Sequence, residues 1–190
     1  METGWINDEV AASEWITGLL KHNLASLEVP LFLRLYHAWQ ENDADRVVYW
    51  NQMMLALRES KELHAEDLAM GEALVRVLKG LDIQPPDLGE YQAGYLTVFS
   101  YACSRWEIPA ESGCLGLLWS WCENQVAAAI KLIPLGQSAG QRMLSALQLQ
   151  IQSAWETGQN YSDEQIGMLA PGLGIASALH ETQYSRLFRS

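Results

Sequence analysis

Positive charge is scarce in this sequence. It carries 12 Lys and Arg against 23 Asp and Glu, a formal net charge of −11. Nucleic acid and anionic membrane surfaces attract cationic proteins, so neither is expected as the main partner. Long apolar runs are missing as well. No window reaches the roughly 18 uncharged apolar residues of a membrane helix, and the richest stretch, "VAAAIKLIPLG", is broken by Lys131 and Pro134. The opening "METGWINDEV" lacks the cationic and apolar regions of a secretory signal. A soluble, cytoplasmic protein is expected. Cysteine is limited to Cys103, Cys114 and Cys122, an odd set with no CxxC pair. Free thiols in the core of a protein from a reducing compartment are the expectation.

What remains is apolar and helical in pattern. Hydrophobic residues make up 49% of the 190 and charged ones 18%, enough apolar area to offset chain entropy in a folded domain. "NDEVAASEWITGLLKHNLASL" starts at an Asn7 or Asp8 cap and places Val10, Ile16, Leu19, Leu20, Leu24 and Leu27 near one face. Pro30 marks the start of a second helix, "LFLRLYHAWQ", where a missing N–H costs least. Asp43 and Ser60 cap two more. In the latter, Leu63, Met70, Leu74, Val77, Leu78 and Leu81 form an apolar stripe opposite a charged face. "DIQPPDLG" is a loop, and helical patterns resume after it to the end. Strand-like alternation between hairpin turns is absent. The expectation is an all-α, single-domain bundle of roughly eight to nine helices spanning 1–190.

The acid is unevenly spread. Residues 1–90 hold 16 acids and 7 bases, and residues 91–190 hold 7 acids and 5 bases. From Ser112 to Trp155 only Glu123, Lys131 and Arg142 are charged. So uncharged a stretch belongs in the middle of the fold or at an interface.

Catalytic patterns are few. Gly136-Gln137-Ser138-Ala139-Gly140 fits G-x-S-x-G, and Asp163 and His180 follow in hydrolase order. That arrangement needs a strand leading into a sharp turn, whereas "AAAIKL" upstream reads as a helix tail. Small residues that let two helices approach are the simpler reading. "ESKELHAED" gathers Glu59, Glu62 and Glu66 on one side of a helix, a conceivable surface metal site, although Arg58 and Lys61 beside them favour a solvated charged face. The four histidines fit no HExxH and no ExxH spacing, and no GxxxxGK[ST] occurs. A small hydrolase or metal enzyme using Ser138 or the Glu59/Glu62/Glu66 face is the alternative reading of function.

A polar seam is harder to dismiss. Asn124 and Lys131 lie seven apart on one face of an otherwise apolar helix. In the next, Gln137, Gln141, Gln148 and Gln152 fall within roughly a 60° arc. Such a seam suits a symmetric dimer contact, a water-lined passage, or plain solvent exposure.

Three blocks, "LRESKELHAEDLAMGEALVRVL", "ENQVAAAIKLIPLGQSAGQ" and the ending "HETQYSRLFRS", closely resemble urease accessory protein F. The resemblance covers nearly the whole chain and implies an all-helical, dimer-forming, non-enzymatic protein. It implies a scaffold bridging accessory protein D (H in some species) and the GTPase accessory protein G, so that nickel enters apo-urease. Nickel would be handled transiently, with no tightly bound cofactor. His180, Glu181, Tyr184, Ser185, Arg186, Leu187 and Ser190 match the family ending, and Phe188 and Arg189 lie among them. The resemblance makes this a partner-binding segment, with 185–190 as a docking tail for protein D. It places Asn124, Lys131, Gln137 and Gln141 near the dimer axis or a nickel passage. Family members also carry an N-terminal segment ahead of the point where "METGWINDEV" begins to match, and that segment is expected to affect partner contact and first-helix packing.

Overall fold

The computed structural model describes residues 4–167 and 171–181, the side chains of Pro171, His180 and Glu181 excepted. The described residues are all-α, with no strand. The eight α-helices are α1 (Glu9–Leu19), α2 (Val29–Gln40), α3 (Ala44–Ala56), α4 (Lys61–Gly80), α5 (Tyr95–Arg105), α6 (Ala110–Leu132), α7 (Gln137–Gly158) and α8 (Pro171–Glu181). A π-helical stretch, Leu20–Glu28, joins α1 to α2 without a break, and Asp163–Gln165 forms a 3-10 turn. The described part therefore contains seven separate helical rods rather than eight or nine, because Pro30 does not interrupt the first.

The reason lies in the register. In α-helical geometry the ring of Pro30 presses on the carbonyl four residues back, that of Ser26. The turn before it is wider: the Val29 N–H donates to the Leu24 carbonyl, five residues back. The Ser26 carbonyl, which Pro30 cannot serve, accepts from the Gly167 N–H at 3.1 Å.

The chain divides into two compact units. The first comprises the described residues of Met1–Leu33 and Ile108–Leu169. Asp8 caps α1 by accepting from the Ala11 N–H at 2.8 Å. Ile16, Leu19, Leu20, Leu24 and Leu27 are buried as expected, but Val10 is exposed, since it lies about 120° around the helix from Ile16. One face of the uncharged stretch lines the interior of this unit. Cys114, Leu118, Cys122, Val126 and Ala129 bury one face of α6 against Met143, Leu147 and Ile151 of α7. A Cβ on Gly140 would overlap the Ile130 side chain, and one on Gly158 would sit 2.7 Å from the Val29 Cβ. Those two glycines let α7 close on α6 and on the π-helical stretch. Glu9 and Arg142 tie α1 to α7 through two hydrogen bonds of 3.0 and 2.6 Å.

The second unit comprises the described residues of Arg34–Glu107 and Ala170–Ser190. Asp43 caps α3 and Ser60 caps α4, accepting from the Arg46 and Leu63 amides at 3.0 and 3.1 Å. Leu78, Val98 and Ala102 form a core cluster, with Leu74, Val75, Ile83 and Tyr101 packed on it. The proline loop between α4 and α5 is pinned where the Tyr101 hydroxyl donates to the Gln84 carbonyl at 2.7 Å. The α4 stripe divides in two. Leu78 is buried, but Met70, Val77 and Leu81 are exposed on another side of the helix. No helix among the described residues is long and apolar enough to cross a membrane.

Candidate functional site

The most organised polar chemistry lies in the second unit, at the start of α5. Gly94 is the N-cap of α5 and has no side chain to satisfy the first amides. Two other helices supply the acceptors. The Asn51 Oδ1 of α3 accepts from the Gly94 N–H at 3.0 Å and the Thr97 hydroxyl at 2.8 Å. The Asp67 Oδ1 of α4 accepts from the Tyr95 N–H at 2.6 Å. A Cβ on Gly94 would lie 3.0 Å from that carboxylate and overlap Met54, so the close approach depends on glycine.

Asp67 has a second role. Its Oδ2 accepts from the Arg58 Nε at 2.6 Å, and its side chain is only 5% exposed. Arg58 belongs to the turn between α3 and α4, so this ion pair fixes the turn that presents Glu59 and Ser60. There α8 packs: the Ser60 and Ser177 hydroxyls are 2.6 Å apart, and a Cβ on Gly174 would overlap the Glu59 carboxylate. With Ser177 turned to Ser60, α8 leaves Ile175, Ala178 and Leu179 exposed. Spaced three and four apart, they form an apolar ridge of the kind a partner groove accepts.

Sequence reading missed Asp67 and Arg58, taking both for part of a solvated face. The signal was present: Asp67 lies four residues after Leu63 and seven before Leu74, in register with the buried side of α4. Nothing in local sequence marked Gly94 as a cap served from elsewhere.

The proposed carboxylate face does not assemble. Glu59 precedes the Ser60 N-cap and so lies outside the helical register of Glu62 and Glu66. No group of three His, Cys, Asp or Glu placed to hold a metal occurs among the described residues. Nor do Ser138 and Asp163 meet. Ser138 is the second residue of α7 and exposed, while Asp163 lies five residues beyond Gly158, the end of that helix. Twenty residues of helix span about 30 Å, and five residues of chain return at most about 18 Å. Ser138 sits on a helix rather than a strand-to-helix elbow, and Gly140 has the close-approach role the simpler reading gave this segment.

Asn124 and Lys131 on α6, and Gln137 and Gln141 on α7, are all exposed in the first unit. His180 and Glu181 end α8, but their side chains, and Tyr184, Ser185, Arg186, Leu187, Phe188, Arg189 and Ser190, lie outside the described residues. The three cysteines are free and buried; burial pushes the Cys103 thiol up to about 11 and Cys122 up to about 12.

Comparison with known proteins decides between these readings. A family model described as UreF matches residues 6–148. A protein of Alkalilimnicola ehrlichii named urease accessory protein UreF is 47% identical over 192 aligned residues, covering 100% of this chain and 84% of its own. The chain belongs to the UreF family. Proteins of the same name from Psychrobacter cryohalolentis and Pseudoalteromonas translucida are 43% and 41% identical, each over 100% of this chain and 83% of their own. These UreF relatives carry the name of a urease accessory protein, which supports a non-enzymatic role in urease maturation.

Proposed function

We propose that this chain is a cytoplasmic scaffold of urease maturation. It acts as a homodimer that bridges accessory protein D (or H) and the GTPase accessory protein G, so that nickel is delivered to apo-urease. Nickel is cargo of the complex, handled transiently, and no cofactor is held tightly. The observation that carries this reading is the 47% identity, over the whole chain, to a protein named urease accessory protein UreF. The exposed Ile175, Ala178 and Leu179 ridge adds support, because it leads directly into the segment from His180 to Ser190. In the proposal that segment docks on protein D, its Tyr, Phe and Arg side chains acting as anchors. The seam of Asn124, Lys131, Gln137 and Gln141 serves the dimer contact or the wall of a nickel passage.

Deleting the residues after Thr182 tests the docking role. The truncated protein is expected to keep its far-ultraviolet circular dichroism and to lose co-purification with protein D. Undiminished co-purification contradicts the role given to the tail.

A further inference from the structure

A cleft of about 570 Å³ lies in the second unit, beside the turn between α3 and α4. Leu55 and Ala56, at the end of α3, give it an apolar wall, and Glu59, Ser60, Lys61 and His64 give it a polar one. A cleft of this volume takes a drug-sized group or a few side chains of a peptide. Two of its residues already hold α8. The Ser60 and Ser177 hydroxyls are 2.6 Å apart, and the Glu59 carboxylate lies where a Cβ on Gly174 would fall. Among the described residues no part of α8 lines the cleft itself, so it stays open beside the helix.

The chain that follows α8 has the length and the chemistry to enter it. The helix ends at Glu181, four residues and about 6 Å beyond Ser177. Thr182 to Ser190 add nine residues, with a reach of up to about 30 Å. They carry Tyr184, Leu187 and Phe188 for the apolar wall, and Arg186 and Arg189 for the exposed Glu59 carboxylate.

We propose that residues 182–190 fold back into this cleft in the free chain and leave it on engaging protein D. The inference rests on the docking role given above to the tail, and adds a competing seat for it within the same chain. A segment tethered this close to its seat has an effective concentration in the millimolar range. A contact too weak to hold two separate molecules together therefore fills the cleft. Protein D binds only the fraction of chains whose tail is free. With roughly one tail in five free, its binding is weakened about fivefold.

A spin label reads occupancy of the cleft with no partner present. The three native cysteines are buried, so a nitroxide on Ser185→Cys is the only label the native full chain takes up. The Leu55 and His64 amides are expected to broaden, and to sharpen again when Ala56→Trp fills the cleft. Ala56 is exposed at the end of α3, so circular dichroism should not change. Gln52→Trp, one turn earlier and also in the cleft wall, repeats the test should that spectrum change. The same filling variant, without the label, is expected to bind protein D about fivefold more tightly in titration calorimetry. Amide widths that ignore both filling variants overturn the cleft as the seat of the tail. A tail released with no gain in affinity for protein D overturns the competition. Full binding of protein D after deletion beyond Thr182 overturns the docking role instead, and leaves occupancy of the cleft to be decided by the label alone.

Discussion

Arg58 and Asp67, nine residues apart, form a 2.6 Å ion pair in which the aspartate is almost wholly removed from water. The same carboxylate caps α5 through the Tyr95 amide. One side chain thus holds together the turn that seats α8 and the start of the neighbouring helix.

Asp67→Ala removes the carboxylate that the Nε of a largely buried guanidinium donates to and leaves the Tyr95 amide without its cap. Breaking a buried pair by removing one member costs about 3–5 kcal/mol, and a loss near the lower figure is expected in urea denaturation. Asp67→Asn keeps an acceptor for the Tyr95 amide and is expected to cost less. Equal stability of Asp67→Ala and the parent contradicts this account of the site.

Glycine substitutions separate two kinds of close approach in the first unit. At Gly140 the obstacle is the end of the flexible Ile130 side chain, whereas at Gly158 it is the Ala25 carbonyl and the Val29 Cβ. Gly140→Ala is expected to cost about 1 kcal/mol and Gly158→Ala about 3, since backbone cannot step aside. Thermal denaturation of the two variants should rank them in that order.

Much of this was legible in sequence, and the misses have physical causes. Asp8, Asp43 and Ser60 were readable as caps because capping is local: a side-chain oxygen reaches an amide three residues on. Lack of charge through α6 and α7 points to the middle of the fold or an interface; one face of each helix is buried and the other is exposed, a division that lack of charge alone does not reveal. Pro30 does stand at the start of α2, but the chain enters that helix through a π turn without a break, which the local rule for proline does not foresee. Met70 and Val77 were grouped with Leu78 because composition shows that a stripe is apolar, not how much of it a neighbour covers. Gly94 depends on side chains 27 and 43 residues away, Asp67 and Asn51, a relation no local pattern carries.

Acid should loosen the contact of α1 with α7. The hydrogen bond from Arg142, together with its charge, holds the Glu9 carboxyl below the ordinary value of 4.5. A depressed carboxylate contributes stability above its unfolded value, and that contribution disappears as pH falls through the folded one. Glu9→Gln is therefore expected to flatten the stability profile below about pH 4.5. Its effect is expected to be modest, because the pair is exposed and screened by salt. Denaturation curves at several pH values, at low and high salt, check the direction.

Thiol reactivity gives an independent check on the interior. With Cys103 and Cys122 pushed up to about 11 and about 12, both are neutral and shielded at pH 8, and Cys114 is fully buried. A thiol-specific reagent should label none of the three in the native protein and all three in denaturant. Rapid labelling of Cys122 in the native state contradicts the packing of α6 described here.

The central claim, that this chain acts by presenting surfaces to other proteins in urease maturation, is met most directly by one measurement. It is the nickel content of urease produced with accessory proteins D and G, in the presence or absence of this chain. The account expects nickel loading to need the chain, and to be kept when Ser138→Ala or Glu62→Gln replaces it. Urease loaded equally well without the chain, or loading lost in Ser138→Ala while the complex still assembles, contradicts it.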